Sequence, residues 1–185
     1  MKLLACPKCH QQLHLENKTL KCENNHCYDI SKRGYINLLL NPDKATNNPG
    51  DSKESLVARK AYLNKGYYDP ILNQVITCID EFKHQDDLSI LDLGCGEGYY
   101  TQGLKKHFEN SDIYGLDISK IAIDMATRYR KDVTWLVGNS KNIPILDHSL
   151  DFICALFTVV NQDELKRALK EDGYIVHVTA NNQHL

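Results

Sequence analysis

No apolar run in this chain of 185 residues approaches the length that spans a bilayer. No secretory leader is expected from its opening residues either. Met1-Lys2-Leu3-Leu4-Ala5-Cys6 resembles the opening of a lipoprotein, but three apolar residues cannot form the hydrophobic region of a signal. Net charge is almost absent too, at −2, so the whole chain favours neither a polyanion nor a polycation. The balance is uneven along its length. Residues 1–70 carry eleven Lys/Arg against seven Asp/Glu (+4), and residues 71–185 carry eleven against seventeen (−6). The N-terminal part is therefore the better match for a polyanion, although an excess of four is also what a solvated surface carries. Apolar residues are not scarce: 42% is enough for a sizeable core and excludes a disordered chain. The length suits one α/β domain with a small appendage, and the expected setting is the reducing cytoplasm, with no membrane.

Seven cysteines is an odd number, and four of them fall in the first 27 residues. In a reduced compartment such clustering points to metal rather than disulfides. Cys6-Pro7-Lys8-Cys9 is a C-x-x-C knuckle, followed after twelve residues by Cys22 and three residues later by His26. Three thiolates and an imidazole form a set that zinc takes tetrahedrally. Cys27 competes with His26 for the fourth place, and His10 follows Cys9 directly. The favoured ligands are Cys6, Cys9, Cys22 and His26. Residues 11–21 alternate around the polar turn Glu16-Asn17-Lys18, as a short hairpin between knuckles would. So small a unit folds only with help from its metal.

Tyr28 and Tyr35 bracket Lys32 and Arg33, a pattern compatible with stacking on bases and pairing with phosphates. Tyr35-Ile36 and residues 38–40 fit packing of the small unit equally well. Residues 41–50 are polar and rich in turn formers, a linker by composition. Helices are expected over 52–65, with Leu56, Ala58, Ala61 and Tyr62 on one face and Arg59, Lys60 and Lys65 exposed. A second is expected over 69–82, where Ile71, Leu72, Val75, Ile76 and Ile79 keep a 3.6-residue rhythm.

The chain is organised around residues 88–101. An apolar run ends in Asp92, then Gly94-Cys95-Gly96-Glu97-Gly98, then helix-compatible residues: a strand, a tight turn and a helix start. Such a turn brings backbone close to a ligand, and the helix offers it free N–H groups. The spacing is G-x-G-x-G, not the G-x-G-x-x-G of dinucleotide folds. Asp92 beside the turn would repel a pyrophosphate but suits the ammonium of S-adenosylmethionine. Asp117 lies nineteen residues beyond Gly98, where a second strand would end and an acid can accept both ribose hydroxyls.

In Leu91-Asp92-Leu93-Gly94-Cys95-Gly96-Glu97-Gly98 the chain resembles the class I S-adenosylmethionine-dependent methyltransferases. A fuller resemblance combines this motif with Cys6-Pro7, Cys9, Cys22, His26, Tyr28-Asp29, residues 34–39, residues 49–52, Arg59-Lys60 and Gly66-Tyr67-Tyr68. In that order they are similar to the RlmA-type 23S rRNA (guanine-N1)-methyltransferases, over essentially the full chain. The resemblance implies a Rossmann-like class I α/β sheet with helices on both faces, preceded by a small zinc-ribbon-like domain. It also implies zinc and S-adenosyl-L-methionine as cofactors and a 23S rRNA hairpin near the peptide exit tunnel as substrate; some members are associated with macrolide resistance. It leaves a homodimer open. Cofactor contacts are expected from Asp92, Gly94, Gly96, Gly98, Tyr99, Asp117, Ile118, Asn139 and Ser140.

The expected organisation is a zinc-binding RNA-recognition domain over 1–40, a linker and helix over 41–70, and the methyltransferase domain over 71–185. Further strands are expected at 133–137, 152–157 and 174–178, with helices over 99–108, 119–130 and 162–170. Two departures from the family stand out. Residues 157–161, beside the expected acceptor base, contain no proline, and the chain stops before the two last strands of a class I sheet. Their absence would leave an apolar edge unpaired. No residue is assigned as the base for N1. Cys154 reads as core, and the Asn-Pro-Pro-Tyr-like loop of amino-methylating enzymes is missing.

Overall fold

The computed structural model describes residues 1–40 and 51–180. The linker expected at 41–50 lies outside them. No helix among the described residues is long and apolar enough to cross a membrane.

The first elements are three short antiparallel strands, β1 (His14–Glu16), β2 (Thr19–Lys21) and β3 (Cys27–Asp29), in the order β1-β2-β3. The expected turn joins the first two, with Asn17 at φ 59°. β4 (Ile36–Asn37) then leaves this unit and pairs in parallel with β7 (Thr134–Val137) of the main sheet. The aromatic–basic stretch around it turns inward. Tyr35 is only 8% exposed, Ile36 and Leu38 are buried, and Arg33 pairs with Asp124 at 2.9 Å. Packing, and not base stacking, is what Tyr35 does here.

The main sheet is parallel throughout, in the order β4-β7-β6-β5-β8-β9. Its strands are β5 (Ser89–Leu93), β6 (Asp112–Asp117), β7, β8 (Leu150–Leu156) and β9 (Leu169–Val178). Crossovers are α3 (Tyr99–His107), α4 (Lys120–Ala126) and α5 (Gln162–Ala168), preceded by α1 (Lys53–Leu63) and α2 (Asp69–Phe82). Strand alternation sorts the side chains into two cores. Ile90, Ile113, Trp135 and Cys154 face α2, α3 and α4. Leu91, Leu93, Tyr114 and Leu136 face α5 together with Leu4, Leu13 and Leu20 of the small unit. The ribbon thus covers sheet surface that a helix would otherwise cover. β5 lies between β6 and β8, so the chain reverses its direction across the sheet there, and the crevice at the strands' carboxyl ends is where such sheets bind ligands.

Three boundaries differ from expectation. α1 buries only Leu56 and Leu63, while Ala58, Ala61 and Tyr62 are exposed. It rests on the loops above the sheet and on α4, so its contact stripe is narrow, and Lys60 lies over the Tyr129 ring, 3.3 Å from its centre. α4 stops at Ala126 because the Arg128 and Tyr129 amides bond three residues back, and the Arg130 carbonyl accepts from the Trp135 indole at 2.9 Å. β9 begins directly after α5, and an irregularity between Leu169 and Tyr174, a stretch that includes Gly173, shifts its register against β8. At Gly173 a Cβ would sit 2.9 Å from the Leu150 carbonyl oxygen.

Candidate active site and metal centre

The glycine turn follows from β5 meeting α3. Gly98 sits at the helix N-cap with φ 86°, and a Cβ there would lie 2.6 Å from the Trp135 ring, so this position demands glycine twice over. Gly94 also has positive φ and meets the Thr158 side chain. The Gly96 N–H donates to Oδ2 of Asp117 at 2.8 Å, and the Ser119 N–H donates to its Oδ1 at 2.7 Å. Asp117 therefore fastens the glycine turn to the start of α4. Burial raises its pKa, against the two amides that lower it. Asp117, Ile118, Asn139 and Ser140 line a cavity of about 120 Å³, with Gly138 and Gly94.

Gly94 also borders a larger cavity of about 240 Å³, walled by Gly96, Glu97, Tyr99 and Tyr100 on one side and by Arg59 and Tyr68 on the other. The two spaces share Gly94 as a common wall at the carboxyl ends of the strands. Tyr99 donates its hydroxyl to Asp69, and burial with that acceptor pushes its pKa up to about 12. Phe157, the first residue after β8, holds φ 55° in the left-handed region, turning the chain where a proline was expected. Its ring meets Tyr68 edge-on at 6.1 Å, and Tyr68 meets Tyr62 at 6.0 Å. An aromatic rim results.

Of the expected contacts, Gly98 and Asp92 line neither cavity. Asp92 shares the face of β5 that carries Ile90, lies under α3, is 2% exposed and accepts the Thr101 hydroxyl at 2.5 Å. Burial, with the nearby Asp117 and Glu97, pushes its pKa up to about 7 against the Thr101 hydrogen bond. Glu97 takes the cavity-lining place instead: it is buried at 3% accessibility, its Oε1 has no hydrogen-bond partner, and it borders the cavity that Arg59 also lines. Burial raises its pKa, and Arg59 and Lys60 oppose that. Residue-level reading missed Glu97, Arg59, Tyr68 and Phe157. Glu97 stood inside the motif, but nothing local indicates that α1 folds back over it.

At the other end, Cys6, Cys9, Cys22 and His26 present four ligand atoms within 4.8 Å of one another. Nδ1 of His26 is 3.4, 3.5 and 3.5 Å from the three sulfurs, and Cys9 and Cys22 are 3.7 Å apart. Zinc–sulfur bonds of about 2.3 Å and zinc–nitrogen bonds of about 2.05 Å make tetrahedral edges of roughly 3.8 and 3.5 Å. The donor set fits zinc in chemistry and in size. Cys27 is exposed and donates to the Asn25 carbonyl, and His10 is not among the four. The Tyr28 hydroxyl is 3.3 Å from Cys6 Sγ, placed to donate to a thiolate.

Fold and cleft together define a class I S-adenosylmethionine-dependent methyltransferase architecture carrying a zinc ribbon. Residues 90–173 match the family described as Methyltransferase domain. Residues 4–45 match the one described as RlmA, N-terminal. The chain is 29% identical, over all of its length, to a 23S rRNA (guanine(748)-N(1))-methyltransferase of Streptomyces fradiae, and 30% identical over 99% of its length to YxjB of Bacillus subtilis. It spans 66% of each relative, a little under two thirds. A TehB-like SAM-dependent methyltransferase of Corynebacterium glutamicum superposes with a TM-score of 0.53 at 26% identity, covering 67% of this chain and 70% of that one. The chain thus joins a ribbon of the RlmA N-terminal family to a methyltransferase domain, and over its whole length it is similar to 23S rRNA (guanine-N1)-methyltransferases.

Proposed function

We propose that this chain methylates N1 of a guanine in a 23S rRNA hairpin, using S-adenosyl-L-methionine. The observation that carries this is the pairing of the Cys3His ribbon with a cleft at the switch point, in a chain that aligns over its own length with 66% of an rRNA guanine-N1 methyltransferase. Residues 1–40 serve as the RNA-recognition unit and residues 71–185 as the methyltransferase, joined by 41–70, in the cytoplasm. β4 belongs physically to the sheet, so recognition and chemistry share a frame.

S-adenosyl-L-methionine supplies an activated methyl group when bound, and the protein's task is mainly alignment. Asp117 is suited to accept the ribose hydroxyls, with Ile118, Asn139 and Ser140 against the adenine and the Gly94–Gly98 turn with Tyr99 along the methionine end. Glu97 and Arg59 match that end's ammonium and carboxylate in sign. Asp92 holds α3 in place through Thr101 and thereby supports the turn from beneath. The rim of Tyr62, Tyr68 and Phe157 offers flat apolar faces to a base extruded from its stack. As guanine N1 takes the methyl group, S-adenosylhomocysteine leaves and the N1 proton passes to a base or to solvent.

The experiment is incubation of this chain, zinc-loaded, with S-adenosyl-L-methionine carrying a labelled methyl group and 23S rRNA hairpin fragments, followed by nucleoside mass spectrometry. Label in 1-methylguanosine is the expected result. Label in another nucleoside refutes N1, and cofactor binding with RNA retention but no label leaves an RNA-binding role alone.

A further inference from the structure

The metal centre and the cleft are far closer in space than in sequence. After β7 ends at Val137, residues 138–140 line the smaller cavity, and the residues after them run back along the N-terminal segment. The Ala5 N–H donates to the Pro144 carbonyl at 3.0 Å, the Leu146 N–H donates to the Leu3 carbonyl at 2.9 Å, and Leu4 pairs with Ile145 between them. One side chain reaches the knuckle itself. Asn142 Nδ2 donates to the Pro7 carbonyl at 2.9 Å, and Pro7 stands between Cys6 and Cys9. The backbone of Asn142 closes the cavity-lining turn: its N–H donates to the Asn139 carbonyl at 3.1 Å, while Asn139 Oδ1 accepts the Lys141 N–H at 3.0 Å. From the opposite side, Glu164 accepts the Ile143 N–H at 2.7 Å and Arg167 donates to the Ile143 and Ile145 carbonyls. Leu4, Cys6, Ile143 and Ile145 are all 0% exposed, so a shift in the knuckle must be transmitted into packed neighbours.

We propose that metal occupancy and cofactor affinity are coupled through Asn142, which ties the turn at 139–142 to the Pro7 peptide. The inference rests on the assignment of Asn139 and Ser140 to the cofactor's adenine end. With zinc bound, Cys6 and Cys9 are fixed to one centre and the Pro7 carbonyl has one place. Without it, sulfurs and an imidazole nitrogen 3.4 to 3.7 Å apart lose the cation that holds them together, and the knuckle relaxes. Asn142 then follows Pro7 or loses its acceptor, and in both cases the turn loses its outer support. Coupling of this kind is reciprocal, so bound cofactor tightens zinc by the same factor.

Calorimetric titration of S-adenosyl-L-methionine into the chain, zinc-loaded and chelator-stripped, tests this alongside zinc competition with a chromogenic chelator in the presence and absence of S-adenosyl-L-methionine. The expected result is about tenfold weaker cofactor binding after stripping, inside the roughly 5–150-fold usual for coupled sites, and the same factor in zinc affinity. Equal cofactor affinity in the two forms overturns the proposal. Zinc-loaded Asn142→Ala covers the case in which stripping unfolds the chain: it should keep its zinc and its melting temperature within a few degrees, yet bind the cofactor several-fold more weakly. Wild-type affinity and wild-type coupling in that variant overturn the role of Asn142. Failure of the zinc-loaded wild type to bind cofactor refutes the function proposed above, and hydrogen exchange then decides the mechanical link by itself. Amides of 139–145 losing protection on zinc removal, while those of β5 and β6 keep theirs, support it; unchanged protection overturns it.

Discussion

Replacing Asp117 by Asn removes one charge and one acceptor while keeping the side chain's shape. Both carboxylate oxygens are engaged, one by the Gly96 N–H at 2.8 Å and the other by the Ser119 N–H at 2.7 Å. An amide can satisfy only one of these, so whichever way it turns, its NH2 confronts a backbone N–H. Leaving a buried donor unpaired costs about 1–3 kcal/mol. Part of that is returned, because burial already raises the pKa of Asp117 and the neutral side chain escapes that penalty. The net cost should therefore be about 1 kcal/mol, or roughly 2–4 °C in melting temperature for a chain of this size. The cofactor loses more. Hydrogen bonds to a charged group contribute about 1.5–3 kcal/mol, equivalent to roughly 10–150-fold in Kd for a ribose diol. Calorimetric titration of S-adenosyl-L-methionine beside thermal melting should thus show a small loss of stability and a large loss of affinity. An affinity within twofold of wild type would refute the assignment of Asp117 to the ribose. A loss of affinity that merely tracks unfolding would reduce Asp117 to a structural tie.

Other perturbations separate the remaining parts. Asp92 is neutral in the fold up to about pH 7 while an unfolded carboxyl ionises near 4, so its raised pKa favours the fold at low pH and that contribution is lost as pH rises through about 7. Asp92→Asn, which still accepts from Thr101, should gain stability relative to wild type between about pH 4 and 7, by up to ~4 kcal/mol, and a pH-independent difference in urea unfolding would contradict this. Metal analysis should find one zinc per chain, and chelation should lower the melting temperature; His26→Ala should lose the metal and Cys27→Ser should keep it. Gly98→Ala forces a Cβ against Trp135 at positive φ and should cost about 2–5 kcal/mol in chemical denaturation, enough to deplete soluble protein. Phe157→Gly relieves the left-handed strain but removes the ring, so methyl transfer to RNA should fall while cofactor affinity and melting temperature hold.

Local patterns carried much of this architecture. The 3.6-residue rhythm of Ile71, Val75 and Ile79 located α2 to the residue, and an apolar run ending in alternate glycines located β5 and the turn. Where elements depend on distant partners, the same reasoning stopped short. β4 is two residues long and exists because β7 presents an edge a hundred residues later, and the length of α4 depends on where Trp135 draws the chain back. The site shows the same division. Gly94, Gly96, Tyr99, Asp117, Ile118, Asn139 and Ser140 border the cavities, while Gly98, packed against Trp135, lines neither. Its charge beside the glycines assigns Asp92 to the cofactor's ammonium, whereas strand parity with Ile90 sets it beneath α3, off both cavities. Arg59 reaches the cleft from α1 and Tyr68 from the N-cap of α2, placements that composition does not encode.

The pairing of Ile36 with Leu136 and of Leu4 with Ile145 has a consequence for biogenesis. At about 5–20 residues per second, the ribbon's docking partners emerge roughly 5–30 s after the ribbon itself. The four metal ligands, by contrast, span only residues 6–26 and can capture zinc as soon as they leave the ribosome. The segment made first is thus metallated early and docked last, and until then the apolar surface of Leu4, Leu13 and Leu20 travels uncovered beside a growing chain. Early metal capture shortens the list of conformations that surface can explore while it waits for its sheet.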